Sequence, residues 1–241
     1  MLPFRLQALL LLLVAMAGGS VHADEAAIRR NLPVRLPQLP AIDEVRRSPM
    51  KGLWEVRLGT EIVYTDDQAQ FVIEGDLLDT QRQINLTQQR EAVIKAIDVH
   101  RLPLQDSVTW RRGTGARMLV VFADPNCGYC RQLERQLSDA TDITVYTFMI
   151  PILGEDSIAK AQAIWCAADR GRTWRSWMVD GIAPPAAASC DTAALDRNLA
   201  LQRRHGVIGT PSLVFADGER VSGVLPLDAL EKKFASLAHL P

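Results

Sequence analysis

The spacing of apolar and polar positions divides the chain into a leader, a short-strand stretch and a stretch where strands and helices alternate. Residues 6–17 are an apolar run without a charge. From Trp54 the pattern changes: Trp54, Val56 and Leu58 alternate with Glu55 and Arg57, the period of two that sets one face of a strand on a core. Ile62-Val63-Tyr64 and Phe71-Val72-Ile73 are two further strand candidates, with a turn at Thr65-Asp66-Asp67 between them. Residues 24–48 read as loop or helix followed by loop, because Pro33, Pro37 and Pro40 break any long helix. Residues 24–84 therefore form a β-rich module of about 60 residues, a size at which a lone core is marginal. Two copies sharing a sheet would supply the missing core, and so would packing on the rest of the same chain. The pattern favours neither.

Over residues 88–98, Val93, Ile94 and Ile97 fall at helical spacing, and Thr87 is a residue type that caps helix N-termini. This predicts a helical linker. Residues 100–115 are polar with Pro and Gly and predict an irregular connection, so that linker and connection fill 85–115 and a second domain fills 116–241. In that domain Met118-Leu119-Val120-Val121-Phe122 is a continuous apolar run, as in a strand buried on both faces. Cys130, Leu133 and Leu137 then share one helical face. A second strand is expected over 143–150, helices over 157–170 and 192–204, and a third strand at Leu213-Val214-Phe215. Asp217-Gly218 turns into a return strand at Arg220-Val221-Ser222, and Leu227, Leu230, Phe234 and Leu237 mark a closing amphipathic helix.

Composition narrows the function classes. The formal net charge is −1 and no Lys/Arg-rich block occurs, so a nucleic-acid partner has no electrostatic footing. Arg5, the apolar run and the small residues Val21 and Ala23 make the pattern of a secretory signal, and the run is short of the roughly 20 residues a membrane span needs. A cleaved signal peptide over residues 1–23 is expected, with export to an oxidising compartment. All four cysteines follow it, an even number that suggests disulfides and allows three connectivities. Cys127 and Cys130 are close together; Cys166 and Cys190 are far from them and from each other.

Cys127-Gly128-Tyr129-Cys130 lies between a buried strand and a helix. A cysteine at a helix N-terminus meets free N–H groups and the positive end of the macrodipole, which favour the reactive thiolate. With neutral Gly128 and Tyr129 between the cysteines, the helix terminus is expected to be the main stabiliser. A zinc site would need a second closely spaced pair, and haem attachment would need His where Arg131 stands. A purely structural bridge across so small a ring would gain little loop entropy. No metal or cofactor is expected. Asp124 could tune the thiol or be a loop acid, His205 before Gly206 reads as a helix C-terminal cation, and Trp174 and Trp177 read as packing. Asn85-Leu86-Thr87 matches a glycosylation sequon only weakly. Gly209-Thr210-Pro211-Ser212 precedes a strand; in isolation Pro211 is an ordinary trans proline, and a cis bond would turn the Thr210 backbone toward an extended chain beside Cys127.

These motifs in order, Cys127-Gly128-Tyr129-Cys130, Ile164-Trp165-Cys166-Ala167, Ala188-Ser189-Cys190-Asp191 and Gly209-Thr210-Pro211, resemble the DsbC/DsbG family of periplasmic disulfide isomerases in the thioredoxin superfamily. Asp66-Asp67, Phe71-Val72-Ile73-Glu74-Gly75 and Asn85-Leu86-Thr87 extend the resemblance to the N-terminal module. The DsbG branch is less similar, having Pro where Gly128 stands and no counterparts to Cys166 and Cys190. The resemblance implies a mixed α/β (α+β and α/β) fold: an N-terminal dimerisation module, a helical linker and a thioredoxin-like catalytic domain with a helical insertion. It implies a V-shaped homodimer, catalytic Cys127 and Cys130, a cis Pro211, substrate contacts at Thr210, Pro211 and Tyr129, and a structural disulfide between Cys166 and Cys190. It further implies misfolded disulfide-containing exported proteins as clients and the membrane reductase DsbD as partner. A dithiol oxidase, a DsbG-like thiol reductase and a non-catalytic binding chaperone are the rival functions.

Overall fold

The computed structural model describes residues 20–186 and 189–238. The expected signal segment up to residue 19 lies outside them, and the expected cleavage point after Ala23 falls within the first helix, α1 (Ser20–Arg35). The chain forms two compact units that meet at Ile94 and Lys95.

In the first unit α1 continues through Pro33 to Arg35, where the sequence suggested a break. It ends on a Leu36 N–H donated to the Leu32 carbonyl. Its buried Ile28 and Leu32 pack on an antiparallel sheet of four strands in sequence order: β1 (Glu44–Arg47), β2 (Trp54–Leu58), β3 (Glu61–Thr65) and β4 (Val72–Ile73). β1 had no signal in the pattern. Trp54, Val56, Leu58 and Val63 supply the sheet's share of the core. Glu55, polar in the alternation, is only 5 % exposed. Its carboxylate takes two bonds from Arg46 at 2.7 and 2.8 Å and one from Arg90 at 3.3 Å, so the charge is matched where it is buried.

A small hairpin, β5 (Leu78–Asp79) and β6 (Ile84–Asn85), leads into α2 (Leu86–Ile94). The expected cap is displaced by two residues. Asn85 Oδ1 accepts the Gln88 N–H at 3.0 Å. Thr87 is instead buried inside the helix, where its hydroxyl bonds Tyr64 Oη and accepts the Leu77 N–H at 2.8 Å. The expected irregular connection also proves structured. Residues Val99–Arg101 and Leu104–Asp106 are 3-10 turns, and β7 (Val108–Arg112) is a strand of the second unit. That unit thus starts near Lys95 rather than at residue 116.

The second unit is built on a five-stranded sheet of order β11-β10-β8-β9-β7, with β8 (Arg117–Ala123), β9 (Ile143–Met149), β10 (Ser212–Phe215) and β11 (Arg220–Ser222). β8 and β9 are parallel; the other neighbours are antiparallel. The parallel pair is joined through α3 (Gly128–Leu137), as a parallel crossover requires. Alternate residues of the central strands feed two cores. Leu119, Val121, Val145 and Leu213 join the face carrying α3, while Val120, Phe122, Phe148 and Val214 join the opposite face with Ile97, Leu201 and Val207. Burial on both faces is the reason β8 reads as an unbroken apolar run.

Between β9 and β10 lie α4 (Glu155–Trp165), α5 (Arg170–Arg175), a π-helical turn over Ser176–Asp180 and α6 (Ala193–Arg204). The single helix expected over 157–170 is broken before Asp169, whose carboxylate caps α5 by accepting the Arg172 N–H at 2.9 Å. Cys166 and Cys190 are disulfide-bonded across this insertion, Cα to Cα 5.7 Å. α7 (Leu227–Leu237) closes the chain with Leu230 and Phe234 buried.

Candidate active site

β8 ends in a turn that delivers Cys127 to the start of α3. The Cys127 N–H bonds the Asp124 carbonyl at 3.1 Å, and the Asn126 N–H bonds Asp124 Oδ1 at 2.7 Å. Cys127 is the N-cap: its Sγ accepts the Cys130 N–H at 3.3 Å. One turn into the helix, Cys130 is 1 % exposed, against 6 % for Cys127. Across from them the Thr210–Pro211 peptide is cis, and the Thr210 carbonyl lies 3.3 Å from Cys127 Sγ. The Gly223 N–H holds the Pro211 carbonyl at 2.8 Å, which ties this loop to the end of β11.

The two thiols differ sharply in acidity. The Cys127 thiol is lowered to about 6, first by the hydrogen bond from the Cys130 thiol, which outweighs the opposing cost of burial, and then by the Thr210 side chain and the Cys130 and Tyr129 amides. The Cys130 amide, at the helix terminus, donates to the same sulfur, as expected of an N-cap position. The Thr210 carbonyl acts in the other direction, since only a protonated sulfur can donate to it. Cys130 is pushed far up, by burial first and then by its bond to Cys127 and that sulfur's charge. Such a site carries one ionised sulfur, the less deeply buried of the two, and keeps a second in reserve.

The structure brings Cys127, Cys130, Thr210 and Pro211 together. Tyr129 is 68 % exposed beside them, on a shallow groove of about 290 Å³ formed with Gln132, Gln136, Gly223, Val224 and Pro226. A larger cavity of about 630 Å³, between residues 98–106 and α6, contains neither cysteine. Cys166 and Cys190 are bonded to each other, and Cys166 packs against the same core that holds Cys127 and Cys130. Asp124 is fully buried and acts as a hub, with Oδ1 accepting from Asn126 N–H and the Ser157 hydroxyl at 2.8 Å, and Oδ2 from the Ile152 and Leu153 amides at 2.7 and 2.9 Å. It fastens the Cys127 turn to the start of the insertion. His205 stands at the C-terminal cap of α6, as expected, and burial with Arg204 and Arg220 nearby lowers its pKa, which disfavours the cationic form.

Residues 104–238 match the thioredoxin-like domain model, and residues 19–88 match the N-terminal domain model of disulfide bond isomerase proteins. A probable thiol:disulfide interchange protein DsbC of Bordetella pertussis is 46 % identical over 192 residues, 80 % of this chain and 68 % of that protein. The chain belongs to the DsbC family. The DsbC of Salmonella typhimurium is 32 % identical over 88 % of this chain and 87 % of its own. The crystal structure of a disulfide interchange protein from Neisseria gonorrhoeae aligns with a TM-score of 0.54 and 37 % identity, covering 56 % of this chain and 97 % of the other. The DsbC-type chain is a thiol–disulfide oxidoreductase that rearranges disulfides, on a thioredoxin-like domain joined to a DsbC N-terminal domain.

Two contributors escaped the sequence. The hub at Asp124 depends on amides nearly thirty residues away, which no local pattern marks. Trp177 donates its indole N–H to the Pro125 carbonyl at 2.7 Å, and its only advance signal was its spacing from Trp174.

Proposed function

We propose that this protein is a periplasmic disulfide isomerase and reductase in which the Cys127 thiolate attacks the disulfides of misfolded exported proteins. The observation that carries the reading is the geometry of the pair: Cys127 Sγ caps α3 beside the Thr210 carbonyl, and Cys130 lies buried one turn behind it. The Cys127 thiolate attacks one sulfur of a client disulfide; a Cys127–client bond forms and the other client sulfur leaves as a thiolate. Two exits follow. If a client thiolate attacks the client sulfur of the mixed disulfide, Cys127 leaves as thiolate and the client is rearranged without net oxidation. If Cys130 loses its proton and attacks Cys127, a Cys127–Cys130 disulfide forms and the client leaves reduced by two electrons. Burial of Cys130 slows the second exit and lengthens the time available for the first. Thr210 and the cis Pro211 would hold the extended client strand, with Tyr129 at its side. Cys166–Cys190 serves as a structural brace.

The reductive exit requires a source of electrons, the role of a membrane reductase of the DsbD kind. A homodimer through the N-terminal module is supported by its apolar residues left exposed at and beside its edge strands: Phe71 at 72 %, Ile73 at 54 % and Leu78 at 59 %. Refolding of a scrambled multi-disulfide protein tests the proposal. Acceleration by the parent protein and none by Cys127→Ser is expected; equal rates overturn it.

A further inference from the structure

The insertion touches the reactive segment through one side chain that the chemistry above does not use. Trp177 sits in the π-helical turn, a rare wide turn that often marks functional sites. Its indole N–H is bonded to the carbonyl of Pro125, two residues before Cys127, at 2.7 Å. Its ring lies under the guanidinium of Arg131, the residue after Cys130, at 4.2 Å from the centroid. Lys160 approaches the same ring at 5.0 Å and is paired with Asp156, whose carboxylate also takes Asn126 Nδ2 at 2.7 Å. Both residues that lead into Cys127, and the one that leaves Cys130, are therefore held from the insertion side. The spacing is matched on the two helices. Trp174 donates to Glu134 at 2.7 Å, and three residues on Trp177 meets Arg131, three residues back on α3.

We propose that Trp177 is a positioning residue for the reactive cysteines: one indole grips the chain on both sides of the CxxC segment and holds Cys127 where its sulfur caps α3. The hydrogen bonds that stabilise the Cys127 thiolate are short-ranged and directional, so they depend on the turn 124–127 keeping its place over the helix end. Pro125 has no N–H, so its carbonyl is the only backbone group by which this residue can be anchored, and Trp177 takes it. Stacking of Arg131 fixes the first turn of α3 from the other side. The insertion thereby shares with the sheet in setting how firmly the thiolate is held. This rests on Cys127 being the exchanging sulfur.

The test is thiolate titration by absorbance at 240 nm, together with alkylation rates and equilibration in a glutathione buffer, for the parent, Trp177→Phe and Trp177→Leu. Phe keeps the ring for Arg131 and Lys160 and loses the N–H; Leu loses both. Trp177→Leu is expected to raise the Cys127 midpoint by about one pH unit, slowing alkylation at pH 6 about fivefold, and Trp177→Phe by about half that shift. Both variants should stand more oxidised than the parent in the same buffer. Midpoints and oxidised fractions equal to the parent's in both variants overturn the proposal. If Leu prevents folding, judged by thermal unfolding of the oxidised form, the milder Phe variant, which keeps an aromatic ring, alone decides. Exchange activity surviving in Cys127→Ser would instead overturn the assignment of the nucleophile, so the two failures are distinct.

Discussion

Removing the Cys130 side chain asks which group makes Cys127 acidic. With the thiol lowered to about 6, about 90 % of Cys127 is thiolate at pH 7, against about 3 % for an unperturbed cysteine. The largest cause is the hydrogen bond from the Cys130 thiol. A hydrogen bond to a charged group is worth about 1.5–3 kcal/mol, and one pKa unit corresponds to about 1.4 kcal/mol. Cys130→Ala should therefore raise the Cys127 midpoint by about one to two units, to roughly 7–8, and cut the thiolate share at pH 7 to about 10–50 %. Cys130→Ser returns a donor to the same place and should recover part of the shift. In both variants Cys127 is the one unbonded thiol, because Cys166 and Cys190 are joined, so absorbance at 240 nm and iodoacetamide kinetics report on it alone. A Cys130→Ala midpoint within about 0.3 units of the parent's would refute the reasoning and return the effect to the helix N-terminus.

The depressed Cys127 thiol also ties stability to pH in the reduced protein: the unfolded chain binds the proton more tightly, so the contribution is full above the unfolded value near 8.5 and is lost as pH falls through about 6. Its size is on the order of 3 kcal/mol, and denaturant unfolding of reduced against oxidised protein across pH 5–9 should show the gap between the two forms changing in that window. Glu134 behaves oppositely; burial holds its carboxyl above the usual range despite the Trp174 and Trp110 donors, so its contribution falls as pH rises above the unfolded carboxyl value. Glu134→Gln keeps an acceptor for both indoles and should flatten the pH profile of unfolding on the alkaline side; an unchanged slope would count against a neutral Glu134. Replacing both Cys166 and Cys190 by Ala opens a loop of sequence separation 24 and should cost about 3.5 kcal/mol in denaturant unfolding while leaving the Cys127 titration in place. Gly171→Ala would put a Cβ 2.4 Å from the Thr109 carbonyl, so α5 must move off β7; a loss of about 1–3 kcal/mol is expected, and a neutral change would mean that the contact yields freely.

The parts of the fold governed by local pattern were legible in the residues. The apolar run at β8, the alternation at β2, the return strand β11 and the closing helix α7 were all readable in advance, because burial on one or two faces writes directly into the period. The order of motifs around Cys127, Cys166, Cys190 and Thr210-Pro211 placed the chemistry. What stayed hidden was decided by partners distant in sequence. β7 looked like a connection because only Val108 and Trp110 of its five residues face the core, and its pairing with β9 lies more than thirty residues on. Thr87 looked like a cap because its type suits one; Tyr64 and the Leu77 amide claim its hydroxyl instead. Pro33 lacks the N–H that would reach back to the Arg29 carbonyl, yet α1 runs past it, its buried face, Ile28 and Leu32, packed into the core of the unit.

The burial of Cys130 fixes a valence. At 1 % exposure it cannot meet a client before Cys127 has done so, and each folded protomer therefore offers clients a single point of attachment. In the proposed homodimer the count becomes two. A client tethered to one protomer would meet the other sulfur at an effective concentration set by its own slack chain. Long-looped, loosely folded clients would then be handled by two sulfurs in turn, and compact ones by one.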